Sequence, residues 1–101
     1  MNITVEKANG AVTAFLEGRL DTPASLEVAP KMEELQEAAA GTVVLDCEKL
    51  SYISSSGLRL FLSLRKASIG KGGNVVIRHL SDDIRQVFMM TGFLNLFQIE
   101  D

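Results

Sequence analysis

Two compact apolar runs, Thr42-Val43-Val44-Leu45-Asp46-Cys47 and Val75-Val76-Ile77, alternate along the chain with segments of helical periodicity. The first is β-branched at its start, as expected of a strand covered on both faces. Strands that alternate with helices pair in parallel, and parallel pairing needs a crossover helix between them. That alternation limits the chain to an α/β fold with a largely parallel sheet.

The start of the chain adds a different signal. Ile3 and Val5 alternate with Asn2, Thr4 and Glu6, and Val12, Ala14 and Leu16 alternate with Ala11, Thr13 and Phe15. Period two is the mark of a strand. Asn9-Gly10 between the two segments marks a tight turn, so they read as a β-hairpin and make the sheet mixed.

Asp21 or Thr22 then caps a first helix, with Pro23 in its first turn. Leu26 and Ala29, with Met32 and Leu35, supply its apolar stripe as far as about Ala39. Pro30 removes a helix hydrogen bond, so either a kink or a start delayed to Pro30 is expected. Glu48 to Ser51 reads as a polar crossing with Leu50 tucked in. A second helix spans about Ser55 to Ile69 and stops at Gly70-Lys71-Gly72-Gly73. Ser81 or Asp82 caps a third, whose Ile84, Val87, Phe88 and Thr91 share one face and which stops at Gly92. Leu96 to Ile99 reads as a short last strand. The expected fold is one α/β domain over residues 1–101, in the order β-β-α-β-α-β-α-β. Its four- to five-stranded mixed sheet would carry the helices mainly on one face.

Between the first apolar run and the second helix lies Tyr52-Ile53-Ser54-Ser55-Ser56-Gly57-Leu58-Arg59. Free N–H groups and a positive dipole end meet at a helix start, so a serine there can carry phosphate at little cost to the fold. Arg59, four residues after Ser55, stands within reach of such a phosphate. Plain N-capping is the first reading of the serines from the residues alone, ahead of a phosphosite. At about 100° per residue, Arg59, Ser63 and Lys66 form a narrow polar stripe. Leu58, Leu60, Phe61, Leu62, Leu64, Ala67 and Ile69 cover more of the helix than one sheet face needs. Neighbouring helices or a partner must cover the surplus.

The stretch from Leu45 to Arg59 resembles the signature of STAS domains, the anti-sigma factor antagonist family of bacteria. Gly18-Arg19-Leu20-Asp21, Gly72-Gly73 before Val75-Val76-Ile77, and Phe88-Met89-Met90-Thr91-Gly92-Phe93 extend the resemblance over nearly the whole chain. The resemblance implies a phosphoacceptor at Ser55, with Ser56, Gly57 and Leu58 matching the positions that follow and Asp21 matching an aspartate near the phosphosite. It further implies a cytoplasmic, non-enzymatic regulator of transcription that switches partners. Unphosphorylated protein would bind an anti-sigma factor serine kinase and free the sigma factor, and a PP2C-type phosphatase would reverse the mark. Partner contacts would centre on Asp21, Ser54, Ser56, Gly57, Leu58 and Arg59. The family often places aspartate before the acceptor; Ser54 stands there instead and is a rival phosphosite. The alternative is a constitutive regulatory or scaffold subunit, for example of a membrane lipid transporter, in which the serines only cap the helix.

Other constellations point to bland roles. The net charge of −3 gives no basic excess for nucleic acid. No run of about 18 apolar residues calls for membrane insertion, and no signal peptide opens the chain. One cysteine, Cys47, reads as an inert small hydrophobe. The single histidine, His79, reads as a strand-end residue rather than a triad member, and no metal site is expected from one Cys and one His without a clustered pair. Asp82-Asp83 and Glu33-Glu34 with Glu37 read as a first-turn pair and a solvated helix face. Met89-Met90 and Phe93 read first as core filling and a helix-end contact, then as an adaptable binding patch. The glycines at 70, 72 and 73 lack the phosphate-loop pattern, so a small nucleotide-binding or hydrolytic protein has little support and no cofactor is expected.

Overall fold

The computed structural model describes residues 1–38 and 40–100. Five strands and three helices follow one another as β1 (Asn2–Ala8), β2 (Ala11–Leu20), α1 (Thr22–Glu37), β3 (Thr42–Ile53), α2 (Ser55–Gly70), β4 (Asn74–Arg78), α3 (Asp82–Thr91) and β5 (Gln98–Glu100). A short 3-10 turn, Phe93–Asn95, precedes β5. The sheet order is β1-β2-β3-β4-β5, antiparallel for the first pair and parallel for the rest.

The hairpin forms where expected. Asn9 (φ 53°) and Gly10 (φ 79°) both take left-handed conformations, as a two-residue hairpin turn requires. Ile3 then faces Leu16 and Val5 faces Ala14, all on the side of the sheet that carries the helices. One core cluster joins that side to all three helices through Val28, Met32, Leu35, Phe61, Leu64, Ile84 and Phe88. The other side carries no helix among the described residues. There Val44, Asp46 and Val76 are still buried.

Five sequence expectations change. β3 does not end at Cys47: it runs on to Ile53, because β2 extends beside it to Leu20 through two register shifts. Gly18 (φ 107°) sits at one shift, and Ser51 donates its hydroxyl to the Gly18 carbonyl (3.0 Å). α1 passes through Pro30 without a delayed start. Pro30 is exposed, so the carbonyl it leaves unbonded, four residues back, lies on the solvent side. The stripe of α1 is Ala24, Val28, Met32 and Leu35; Leu26 is 77 % exposed and outside it. Its expected end near Ala39 falls outside the described residues. The last strand begins at Gln98, after a turn that buries Phe97 beside Phe88. Phe93 packs edge-on against Phe88 (6.1 Å), but Met89 and Met90 are exposed and fill no core.

α2 and α3 behave as the sequence implies. Arg59, Ser63 and Lys66 face solvent, and α1 packs along α2 to cover part of its surplus apolar surface. Ser81 caps α3, Asp82 and Asp83 occupy its first turn, and Gly92 (φ 79°) ends it.

Candidate functional site

β2 and β3 are parallel neighbours that stop together, with Leu20 opposite Ile53. One residue later each chain turns into a helix. Asp21 is the N-cap of α1 and accepts a hydrogen bond from the Ala24 N–H (3.0 Å). Ser54 is the N-cap of α2 and accepts from the Gly57 N–H (3.2 Å). The Ser54 N–H donates to the Leu20 carbonyl (2.9 Å), which locks the two turns together. Two helix N-termini therefore open side by side at the carboxyl ends of adjacent strands, and both positive dipole ends meet there. Crevices at this end of parallel strands are where α/β folds bind ligands.

The tight approach depends on Gly57. A Cβ there would come within 2.8 Å of both Ile53 Cγ1 and Leu20 Cγ. Both side chains are buried, so neither has room to give way.

The three serines have different surroundings. Ser54 Oγ is engaged as the cap. Ser56 Oγ lies 3.4 Å from Thr22 Oγ1 and accepts from Arg59 Nη2 (3.3 Å), bridging the two helix starts. Ser55 is exposed, and its hydroxyl has no hydrogen-bond partner among the described residues. The arginine expected to face Ser55 thus rests on Ser56. Gly57 and Leu58 are buried, so they shape the site from beneath instead of offering contact surface. Sequence reasoning missed a rim beside the serines: Arg19 lies over the Tyr52 ring, 4.4 Å from its centroid. Their cross-strand pairing follows from the extension of β3, which the polar crossing at Glu48–Ser51 concealed.

A second polar cluster lies on the helix-free side. Asp46 Oδ2 accepts from Arg78 (3.0 and 3.2 Å) and lies 3.0 Å from His79 Nδ1, while Oδ1 accepts from the Glu48 N–H (3.1 Å). Burial pushes the Asp46 carboxyl up, but the Glu48 N–H, the Arg78 guanidinium and His79 together outweigh it and hold it below its ordinary value. Cys47 next door has its thiol pushed up to about 12, first by burial and then by the Asp46 charge. It is buried and unreactive in that state. Asp46, Glu48 and His79 offer ligand atoms within 4.8 Å of one another, a grouping the sequence did not show because parallel pairing of β3 and β4 creates it. The arginine on the same carboxylate makes this an ion-pair network; its positive charge opposes a cation there.

That network sets a pH prediction. A carboxyl held below its unfolded value contributes stability above that value and loses it as pH falls through the folded one. Asp46→Asn is expected to cost about 2 kcal/mol at pH 7, below the roughly 3–5 kcal/mol of a fully buried pair because Arg78 and His79 are partly exposed. Urea unfolding at pH 7 and pH 3 checks this. The gap between the two proteins should narrow at the lower pH, where the wild-type carboxyl also begins to protonate, and an unchanged gap overturns the assignment.

The family model of the STAS domain matches residues 2–101. The chain belongs to the STAS domain family. BtrV of Bordetella bronchiseptica, named as an anti-sigma factor antagonist, is 31 % identical to this STAS domain over 99 residues, 98 % of this chain and 85 % of BtrV. The anti-sigma-B factor antagonist of Listeria monocytogenes is 25 % identical over 104 residues, all of this chain and 91 % of that protein. Among solved structures, the anti-sigma factor antagonist SpoIIAA in its unphosphorylated form has a TM-score of 0.75 at 24 % identity, over 99 % of this chain and 88 % of its own. SpoIIAA of Bacillus in its phosphorylated form gives 0.74 at 24 %, over 97 % and 90 %. These structural likenesses bear on the fold: the STAS domain here has the SpoIIAA architecture. No helix among the described residues is long and apolar enough to cross a membrane.

Proposed function

We propose that this protein is an anti-sigma factor antagonist whose partner is an anti-sigma factor serine kinase, and that phosphorylation at Ser55 ends the binding. The observation that carries this reading is the contrast among the three serines. Ser54 is spent on capping and Ser56 on Thr22 and Arg59, whereas the Ser55 hydroxyl points free at the exposed end of a helix. A kinase needs an unencumbered hydroxyl, and the helix start tolerates the product. Names among the relatives support the partner class: BtrV and the Listeria protein are both named anti-sigma factor antagonists. Asp21 fixes the neighbouring helix start, Ser56 and Arg59 border the acceptor, and Ser54, Gly57 and Leu58 hold it in place. The protein works in the cytosol, ATP is the kinase's substrate, and a PP2C-type phosphatase resets the switch.

The test is incubation with ATP and the serine kinases of the anti-sigma type from the same genome, followed by mass spectrometry. Phosphate is expected on Ser55 and absent from Ser55→Ala, with Ser54→Ala still modified. Modification of Ser54 alone, or no transfer from any such kinase, overturns the phosphoswitch. A constitutive scaffold would bind its partner equally with and without phosphate.

A further inference from the structure

β1 lies at one edge of the sheet, with β2 beside it on the inner side. A strand edge is a row of N–H and C=O groups that a further strand can pair with, and proteins usually blunt it with a proline, a bulge or brevity. β1 has none of these. Its sequence holds no proline, its register with β2 runs unbroken from Asn2–Glu17 to Ala8–Ala11, and it is seven residues long. The opposite edge is blunted, since β5 has only three residues.

Asn9-Gly10 decides which groups face outward. A two-residue turn makes Ala8 and Ala11 a hydrogen-bonded pair, and such pairs alternate along an antiparallel ladder. Glu6, Thr4 and Asn2 therefore direct their backbone groups to β2. The N–H and C=O of Ile3, Val5 and Lys7 point away from it. Ile3 and Val5 pack on the helix side yet stay partly exposed. Asn2, Thr4 and Glu6 are exposed on the open side, where they border a groove shared with Glu17 and Glu48.

The strand itself narrows what fits this edge. Two copies related by a two-fold axis pair their edges antiparallel, and odd residues must then stand opposite odd ones to keep both helix layers on one side. An axis at Glu6 sets Glu6 against itself, and like charges directly opposite are destabilising. An axis at Val5 sets Ile3 against Lys7, and an axis at Ile3 pairs only Asn2 to Thr4 of the strand. An axis at Thr4 sets Thr4 against Thr4, Ile3 against Val5 and Asn2 against Glu6. Hydroxyl meets hydroxyl, apolar meets apolar, and amide meets carboxylate.

We propose that the free edge of β1 is a self-association surface, at which a second copy of this chain adds its own β1 antiparallel with the two-fold axis at Thr4. The exposed parts of Ile3 and Val5 then cover one another across the junction, and the sheet runs on through both copies. The contact is small, so the dimer is weak, with a dissociation constant of about 10–100 μM. It does not involve Ser55 and stands or falls apart from the phosphoswitch.

Sedimentation velocity between about 1 μM and 1 mM is expected to show monomer passing into dimer. Thr4→Glu sets two carboxylates against each other on the axis, beside Glu6 of both copies, and should weaken dimerisation at least tenfold. Thr4→Val, branched and uncharged, should keep it within about threefold. Far-UV circular dichroism at low concentration reads the fold separately and should be unchanged in both, because Thr4 is exposed. Oxidation then fixes the register. A non-hydrogen-bonded pair brings its Cα atoms to about 4.5 Å, within disulfide reach, so Thr4→Cys should give a covalent dimer. Lys7→Cys would hold its two thiols about 20 Å apart and should not. Cys47 is buried, so wild type should not cross-link either. Protein that stays monomeric throughout overturns the proposal. So does a dimer that survives Thr4→Glu, or one whose Thr4→Cys form cross-links no faster than Lys7→Cys.

Discussion

Protein carrying phosphoserine at position 55 is expected to bind its anti-sigma factor at least about a hundredfold more weakly, while keeping its melting temperature. The phosphate adds about −1.5 to −2 charges at neutral pH. Within the fold those charges meet the N-terminus of α2, worth a fraction of a kcal/mol in their favour. In a desolvated interface the same charges cost several kcal/mol, and each 1.4 kcal/mol is about tenfold in affinity. Stability and binding thus move separately, and circular-dichroism melting beside calorimetric titration reads both. A phosphoprotein that melts far below wild type would mean that binding is lost through unfolding, not through the switch. Equal affinity of both forms would leave the serines as caps only.

Gly57→Ala is expected to lower the melting temperature by roughly 5–15 °C. Alanine gains about 1 kcal/mol over glycine inside a helix. Against that, its Cβ would lie 2.8 Å from Ile53 Cγ1 and Leu20 Cγ, and overpacking a filled core costs about 1–3 kcal/mol. The clash wins because the two side chains are 4 % and 1 % exposed and close the ends of β2 and β3. With the clash near the top of that range the net loss is about 1–2 kcal/mol, which converts at about 4–8 °C per kcal/mol for a domain of this size. Gly70→Ala is the control: a Cβ there meets nothing within 4 Å, so its melting temperature should hold or rise. A Gly57→Ala protein as stable as wild type would mean that α2 can lift off the strand ends.

Much of the site was legible in the sequence because its pieces are local. The helix caps, the Asn9-Gly10 hairpin and the stop at Gly92 depend on a few neighbouring residues; the hairpin and the stop formed where expected, and of the paired cap candidates the backbone selects Asp21 over Thr22 and Ser81 over Asp82. The cap of α2 was harder to read, since three serines in succession all suit an N-cap and only the backbone selects Ser54. Leu26 was misplaced because Pro30 and the crowded apolar positions of α1 blur its periodicity, and the packed face runs through Val28 instead.

The sequence by itself determined the order of strands and helices, the mixed sheet and a hydroxyl-rich helix start beside an apolar strand. Periodicity and turn chemistry act over a few residues, so one chain suffices to read them. Only the tertiary structure decided which hydroxyl is free. That choice needs β2 and β3 to end together, so that Thr22 meets Ser56 across 34 positions of sequence and Arg59 settles there. The same holds for Asp46, whose partners Arg78 and His79 arrive by parallel pairing with β4. Contacts between residues far apart in the chain exist only once the sheet has closed.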